Sequence, residues 1–565
     1  MWFPGSEPPR CFRNPRLIVT AHRVEDVWPA LQEVERHVAN GLTAAGYVAY
    51  EAAPAFDRAL RTHAPGLMPL LWFGLYAEVD TAPLPSPLEA PALQWQPMLD
   101  AETHARALDR IRDLIAAGDT YQVNYTFPLR APWQGDALLY FAALHASQPT
   151  PLAACINTGP YQVLSLSPEL FFTLDGDNLT TRPMKGTRLR GRYPEEDATI
   201  ARELADSAKD QAENVMITDL LRNDLGRIAR TGSVSVPGLF TLERYPTVWQ
   251  LTSTIEAQSD ATVPEIFRAL FPCGSVTGAP KIRAMEIIRE IEPEPRGVYC
   301  GAIGWWEPGR RASFNVAIRT LAIDTAKGEA AYHTGSGITW DSRADDEYAE
   351  CLQKTLLLTQ QHAPFELLET LLFDKGYRLL DRHLDRIAAS ADYFGIPFDR
   401  ARAIAALTEA GGGITDPRRI RLLWSQQGTP RVEVHPLSPA PDRLRVRVAT
   451  GQVNSRDVFL FHKTTRRDIY ITALQEHPDC DEVLLCNERD EVTEGCYGNV
   501  VVTLDGRDYT PPVHCGLLAG CERAELLERG DIEERVIHRD ELHRAERIRL
   551  INSVRGIMDA DLLHP

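Results

Sequence analysis

From about residue 93 to residue 360 the hydrophobic and polar positions switch between two periods. Runs with strand-like patterning predict strands over 161–166, 170–174, 298–307 and 312–323. Helical spacing predicts helices over 101–117, 198–208, 211–222, 263–270, 280–290 and 345–360. Residues 1–90 mix short helical and strand patterns, and the Pro-rich stretch 81–92 reads as a surface connection. Residues 361–364 end in Pro364 after a helical stretch and read as a linker. The chain therefore divides into 1–360 and 365–565, each of domain size or larger. The second part opens with a predicted helix over 381–394, breaks at Gly411-Gly412-Gly413, and then alternates β segments with helices.

Composition narrows the function. A chain of 565 residues is too long for one core. Its formal charge of −18 argues against nucleic acid and anionic membranes as partners, and means that an anionic substrate needs a locally basic or metal-bearing pocket. No long apolar run predicts a membrane span, and the start lacks a basic-then-apolar leader, so a cytoplasmic location is expected. The ten cysteines form no C-x-x-C pair, which suggests neither a zinc site nor a disulfide framework. Of the 60 basic residues only seven are lysine: Lys185, Lys209, Lys281, Lys327, Lys354, Lys375 and Lys463. A lysine retained amid such arginine bias marks a place where a primary amine is useful, because arginine does not readily give up its proton to become a nucleophile. For any one lysine taken alone, random survival of a few codons under the arginine bias is the favoured explanation.

In the predicted helix 211–222, Glu213 shares a face with Met216, Ile217, Leu220 and Leu221. A carboxylate on that face needs a partner, often a metal. The last predicted helix of the first part carries Glu347, Glu350 and Lys354 on one side; by spacing alone Glu350 and Lys354 read as a surface ion pair. The stretch from Gly274 to Lys281 reads either as an anion-binding loop entering a helix or as a tight turn.

Taken together, Ala117–Asn124, Ser167-Pro168-Glu169, Arg182–Thr187, Ala212–Asp224, Phe271–Lys281 and the runs 315–321 and 333–354 resemble the chorismate-utilising enzyme family over roughly residues 40–360. The resemblance implies an α+β domain with stacked β-sheets and outer helices. It implies Mg²⁺ on Glu213 and Glu350, and a substrate held by Thr277, Tyr299, Arg319 and the backbone of Gly335-Ser336-Gly337. Residue 122 is Gln, where relatives that add water carry a base lysine. Residue 185 is Lys, in P-M-K-G-T; anthranilate-forming relatives resemble P-I-A-G-T and aminodeoxychorismate-forming relatives P-I-K-G-T. The latter likeness implies Lys185 as a nucleophile on the ring and Glu169 as general acid and base, with chorismate and ammonia as substrates. Gln250 stands where many relatives carry His. No glutaminase domain is visible, so free ammonia or a separate glutaminase subunit is expected.

In the second part, H-x-x-R at His383–Arg386, K-x-x-x-R at Lys463–Arg467, T-E-G-x-x-x-N at Thr493–Asn499 and G-x-x-x-G-x-x-R at Gly516–Arg523 resemble, in that order, the class IV fold of pyridoxal-phosphate enzymes. H-x-x-R taken alone is also an ordinary helix surface. The resemblance implies a two-subdomain α/β domain, pyridoxal 5'-phosphate on Lys463, Glu494 at the pyridine nitrogen, and Arg386 with the helix start at Cys521 and Glu522 around the phosphate. Thr370 is expected to help position the substrate. Leu372 stands where aminotransferases of this group often carry Arg, which favours a lyase. A homodimer through this domain is expected by analogy only. The two halves together imply amination of chorismate followed by elimination of pyruvate to 4-aminobenzoate. The alternatives are an anthranilate synthase joined to an aminotransferase, and a cofactor-binding half with no turnover.

Overall fold

The computed structural model describes residues 1–6, 8–85, 93–359, 365–439 and 441–563. The linker expected at 361–364 and residues 86–92 of the Pro-rich connection lie outside the described residues. The fold is mixed α and β, and packing divides it into two units: Met1–Arg190 with Ala201–Ala363, and Gly191–Ile200 with Pro364–Pro565. Among the described residues no helix is long and apolar enough to cross a membrane.

The first unit is built on two antiparallel sheets. The nine-stranded sheet has Gln122–Pro132 and Glu329–Ile338 side by side, then Thr320–Asp324, Tyr161–Ser165 and Ala154–Asn157. The ten-stranded sheet runs from Met184–Leu189 through Val248–Gln258, Asn178–Arg182, Leu170–Asp175, Arg311–Val316 and Ala302–Glu307 to Thr43–Val48 and Leu71–Tyr76. Strand Thr43–Val48 is apolar on both faces for a reason. Ala45 and Tyr47 pack toward Ile156 and Val163 of the other sheet, while Ala44 and Val48 pack in the core beneath helix Val24–Ala39, with its Leu31 and Val34. Caps explain where helices begin. Asp100 accepts from the Thr103 N–H at 2.8 Å ahead of Ala101–Ala116, and Thr262 with Glu265 forms a capping box ahead of Val263–Leu270.

Three expectations need correction. The run 312–323 is not one strand. Arg311–Val316 belongs to the ten-stranded sheet and Thr320–Asp324 to the nine-stranded one, and the chain crosses between them at Ala317-Ile318-Arg319. Arg319 takes φ 49° at the crossing, a conformation that its residue type does not advertise. The expected strand 298–307 likewise begins only at Ala302. In helix Ala208–Gly226 the buried stripe is Asp210, Asn214, Ile217, Thr218, Leu221, Asp224 and Leu225. Glu213 sits at its margin, its side chain 19% exposed. Helical phase, more than hydrophobicity, places Asn214 at the centre, where its side-chain amide donates to the Leu251 carbonyl at 3.1 Å.

The second unit has two sheets. Leu367–Phe373, Arg418–Trp424 and Pro430–Pro436 form a three-stranded antiparallel sheet. Helices Leu380–Phe394 and Arg400–Gly411 bury Leu384, Ile387 and Leu407 with it around Trp424. The eight-stranded sheet mixes parallel and antiparallel pairs and holds Glu482–Asn487, Val492–Gly495 and Asn499–Leu504.

Candidate active sites

In the first unit one cavity is lined by Glu169, Lys185, Glu213, Gln250, Arg319 and Glu350, together with Tyr299, Gly335 and Gly337. The sheets explain the convergence. Lys185 lies on the edge strand Met184–Leu189, Gly335 and Gly337 lie on Glu329–Ile338, and Arg319 lies at the crossing between sheets. The position of Gly337 marks the convergence, since a Cβ on it would stand 3.0 Å from Lys185 Nζ and 2.1 Å from Gln122 Nε2, the ends of two flexible side chains. Lys185 Nζ and the Gln122 side chain are thereby brought onto one backbone position.

Burial pushes the Glu169 carboxyl up to about 7, against the opposing pull of a Ser275 hydrogen bond and the Lys185 charge. Glu213 is raised, by burial first, with Lys185 and Lys209 opposing. Its ion pair with Lys209 is loose at 4.0 Å. Burial works to raise Glu350 too, but Lys354 outweighs it and the carboxyl ends below its ordinary value. Lys354 Nζ donates to Glu350 Oε1 at 2.7 Å and to the Gly335 carbonyl at 2.8 Å, so this pair is a clamp on the glycine strand as well as an i,i+4 pair. Glu347, held by the Ser342 hydroxyl at 2.6 Å, lines the same wall.

Arg319 makes no ion pair among the described residues, and burial lowers its pKa. Tyr299 stacks on His333 with ring centroids 5.2 Å apart. Burial, with Arg296 and Arg130 nearby, pushes His333 down to about 3, so this imidazole is neutral. Thr277 is fully buried, and its hydroxyl donates to the Cys273 and Gly274 carbonyls, both at 3.2 Å. Ser275 and Val276, rather than Thr277, line the cavity from that loop. The loop is held from behind by a buried ion pair. Arg296 donates to Glu292 at 2.7 Å and to the Val276 and Asn124 carbonyls, each at 2.7 Å, while Glu292 accepts from the Thr126 N–H at 2.9 Å. Glu292→Ala leaves Arg296 charged and unpaired in the interior, and is expected to destabilise the first unit by about 3–5 kcal/mol in urea unfolding.

Among the described residues no group of three or more His, Cys, Asp or Glu side chains is arranged to hold a metal ion. The cavity offers separate carboxylates instead. That donor set fits Mg²⁺, which binds through one or two carboxylates and completes its shell with water and substrate oxygens.

In the second unit Lys463 is half-buried, and desolvation, with Arg386 and Arg467 nearby, brings its amine down to about 8. Burial raises Glu494 to about 7, and its carboxyl accepts from the Tyr470 hydroxyl at 2.8 Å and the Asn499 amide at 3.1 Å. Gly520 makes room for Asn499, since a Cβ there would fall 2.0 Å from Asn499 Oδ1. Arg386 donates to Glu369 through Nε at 2.8 Å and Nη2 at 2.6 Å, and to the Ala519 carbonyl through Nη1 at 3.0 Å. His383 shares the same carboxylate at 2.6 Å, so His383 and Arg386 are not a plain helix surface. Burial opposes ionisation of Glu369, yet Arg386 and His383 bring its carboxyl down to about 2.

Arg386 keeps N–H groups for a phosphate beside the start of helix Cys521–Arg529. Cys521 is buried there, and its thiol is pushed up to about 11, first by burial. Arg378 donates to Glu522 Oε1 at 2.7 Å, while among the described residues Glu522 Oε2 is buried without a hydrogen-bond partner. Thr370 is half-buried on the strand paired with Arg418–Trp424. An amine of lowered basicity, a buried carboxyl and a helix N-terminus beside an arginine fit pyridoxal phosphate.

Glu369, Tyr470 and Lys354 escaped sequence reasoning as site residues. The retained lysine was a usable signal for Lys354. Glu369 carried none, because a glutamate in an apolar strand shows its partners only after folding.

Comparison with known proteins defines the class. The chorismate binding enzyme family matches residues 12–360, and the chain belongs to that family. The amino-transferase class IV family matches residues 366–562. Aminodeoxychorismate synthase component 1 of Escherichia coli is 41% identical over 269 residues, covering 47% of this chain and 59% of that protein. The protein of the same name from Bacillus subtilis is 39% identical, covering 45% of this chain and 54% of its own length. The chain thus spans less than two thirds of these relatives. Anthranilate synthase component 1 of Synechocystis is also 39% identical, over 277 residues, so overall identity alone does not choose between the two reactions. Among solved structures, anthranilate synthase component I from Streptococcus pneumoniae superposes with a TM-score of 0.53 at 25% identity, covering 61% of this chain and 91% of that one.

Proposed function

We propose that the chain makes 4-aminobenzoate in two stages, aminating chorismate in the first unit and eliminating pyruvate from the product in the second. The observation that carries the first stage is the placement of Lys185 Nζ over Gly337, in a cavity with the buried carboxyl of Glu169. Moving one proton from the Lys185 amine to Glu169 produces at once the neutral nucleophile and the acid that the reaction needs. Nζ then bonds to the ring as the hydroxyl leaves with the Glu169 proton as water. Ammonia adds next, the ring–Nζ bond breaks with its electron pair returning to lysine, and Glu169 takes the surplus proton. Arg319, with no carboxylate of its own, is suited to a substrate carboxylate, and Glu213 and Glu350 to Mg²⁺ beside another. The name component 1 carried by relatives fits a chain that receives ammonia from a separate glutaminase.

In the second unit Lys463, Arg386 and Glu494 would hold pyridoxal phosphate, which when bound supplies an electron sink for elimination. The Lys463 amine would then move the ring proton. Tyr470 and Asn499 fix the Glu494 carboxyl, and Glu369 fixes Arg386.

Incubation with chorismate, Mg²⁺, ammonium and pyridoxal phosphate tests the whole reading. Pyruvate with 4-aminobenzoate is expected, and anthranilate as the main product refutes it. The near-neutral pKa of Glu169 adds a pH signature. Glu169 must be ionised to take the Lys185 proton, so kcat/KM for chorismate should rise as pH rises through about 7 and be lost on the acid side. Glu169→Gln should remove that limb and cost about 10²–10⁴ in rate.

A further inference from the structure

Gln250 is engaged at only one end. It is 5% exposed, and on strand Val248–Gln258 it pairs with Thr187 of the Lys185 strand. Its Nε2 donates to Thr187 Oγ1 at 3.0 Å. Among the described residues its Oε1 is buried without a hydrogen-bond partner. Glu169 also leaves Oε1 buried and unpartnered, and both residues line the cavity that holds Lys185. A buried acceptor without a donor is costly unless a ligand brings the donor.

This cavity therefore has acceptor oxygens in want of N–H or O–H groups. Carboxylates of a substrate cannot supply them, and its ring hydroxyl departs during the reaction. Ammonia, with three N–H bonds, is the reactant whose chemistry matches.

We infer that Gln250 is a positioning residue for the nitrogen nucleophile. One end of its amide is tethered to the strand that carries Lys185, and the other accepts an N–H of ammonia and turns the nitrogen lone pair toward the ring. An amide does not take up the proton released on C–N bond formation, so that proton goes to Glu169. The inference rests on the amination reading above and adds to it the residue that selects and orients the nitrogen donor.

The test uses the full-length chain, with ammonium chloride varied at saturating chorismate and Mg²⁺. Q250L and Q250M both remove the acceptor, and Q250E keeps one. The loss of one well-placed hydrogen bond is expected to raise the KM for ammonium about tenfold in Q250L and Q250M. The kcat and the KM for chorismate should stay within about threefold of the parent, and Q250E should keep the parent's ammonium KM within a similar margin. Melting curves show which variants are folded, and either acceptor-free variant suffices. An unchanged ammonium KM overturns the inference, as does a loss borne by kcat alone or an equal rise in Q250E. If the parent enzyme forms no amine product from ammonium, the amination reading itself has failed; if it does and the acceptor-free variants match it, only the role of Gln250 has.

Discussion

Lys185→Ala is expected to lower formation of the aminated product from chorismate by at least about a thousandfold, a barrier increase of about 4 kcal/mol. The reason is the loss of a covalent route, since among the described residues no other lysine reaches Gly337; Lys209 also lines the cavity but faces Glu213 at 4.0 Å. Lys354 lines the same cavity, but its Nζ is committed to Glu350 at 2.7 Å and to the Gly335 carbonyl at 2.8 Å. The KM for chorismate should change little, because Arg319, Glu213 and Glu350 are untouched. Arg should rescue nothing, as a guanidinium stays protonated. Single-turnover product analysis checks this, and a variant that aminates at the parent rate would eliminate the lysine as nucleophile.

Lys463→Ala should separate the two stages. Chorismate consumption should continue, the aminated intermediate should accumulate, and 4-aminobenzoate and pyruvate should fall by at least about a thousandfold, since removing the essential nucleophile of a covalent catalyst has effects of this size. The visible absorbance of the lysine-bound cofactor should vanish. Glu369→Ala is a control of a different kind. It leaves His383 and Arg386 buried without their carboxylate, and is expected to destabilise the second unit by about 3–5 kcal/mol. In the parent that carboxyl titrates at about 2 instead of its ordinary 4.5. Its contribution is therefore present above pH 4.5 and is lost as pH falls toward 2. Acid unfolding curves of parent and variant should converge there.

Much of this was legible before folding. Lys185 and Lys463 stand out because lysine is scarce, and the strands and helices follow from period and caps. What stayed hidden depends on contacts between distant segments. Nothing local marks residues 317–319 as the place where one strand run changes sheets, because each half is a sound strand on its own. Glu213 and Asn214 differ by one position in helical phase, and only packing against strand Val248–Gln258 decides which faces inward. Thr277 matches its motif, yet its hydroxyl is spent on its own loop, a distinction set by backbone geometry rather than residue type. Glu369 looks like a polar intruder in LLETLL until His383 and Arg386 arrive from the next helix.

The sheet crossing carries a consequence for how the first unit responds to what it binds. Arg319 stands where the chain passes between two β sheets and is also a half-buried cation that makes no ion pair among the described residues. An anion that grips it relieves the charge and braces both layers in one act. By mass action, an anion bound there would add to the stability of the folded first unit.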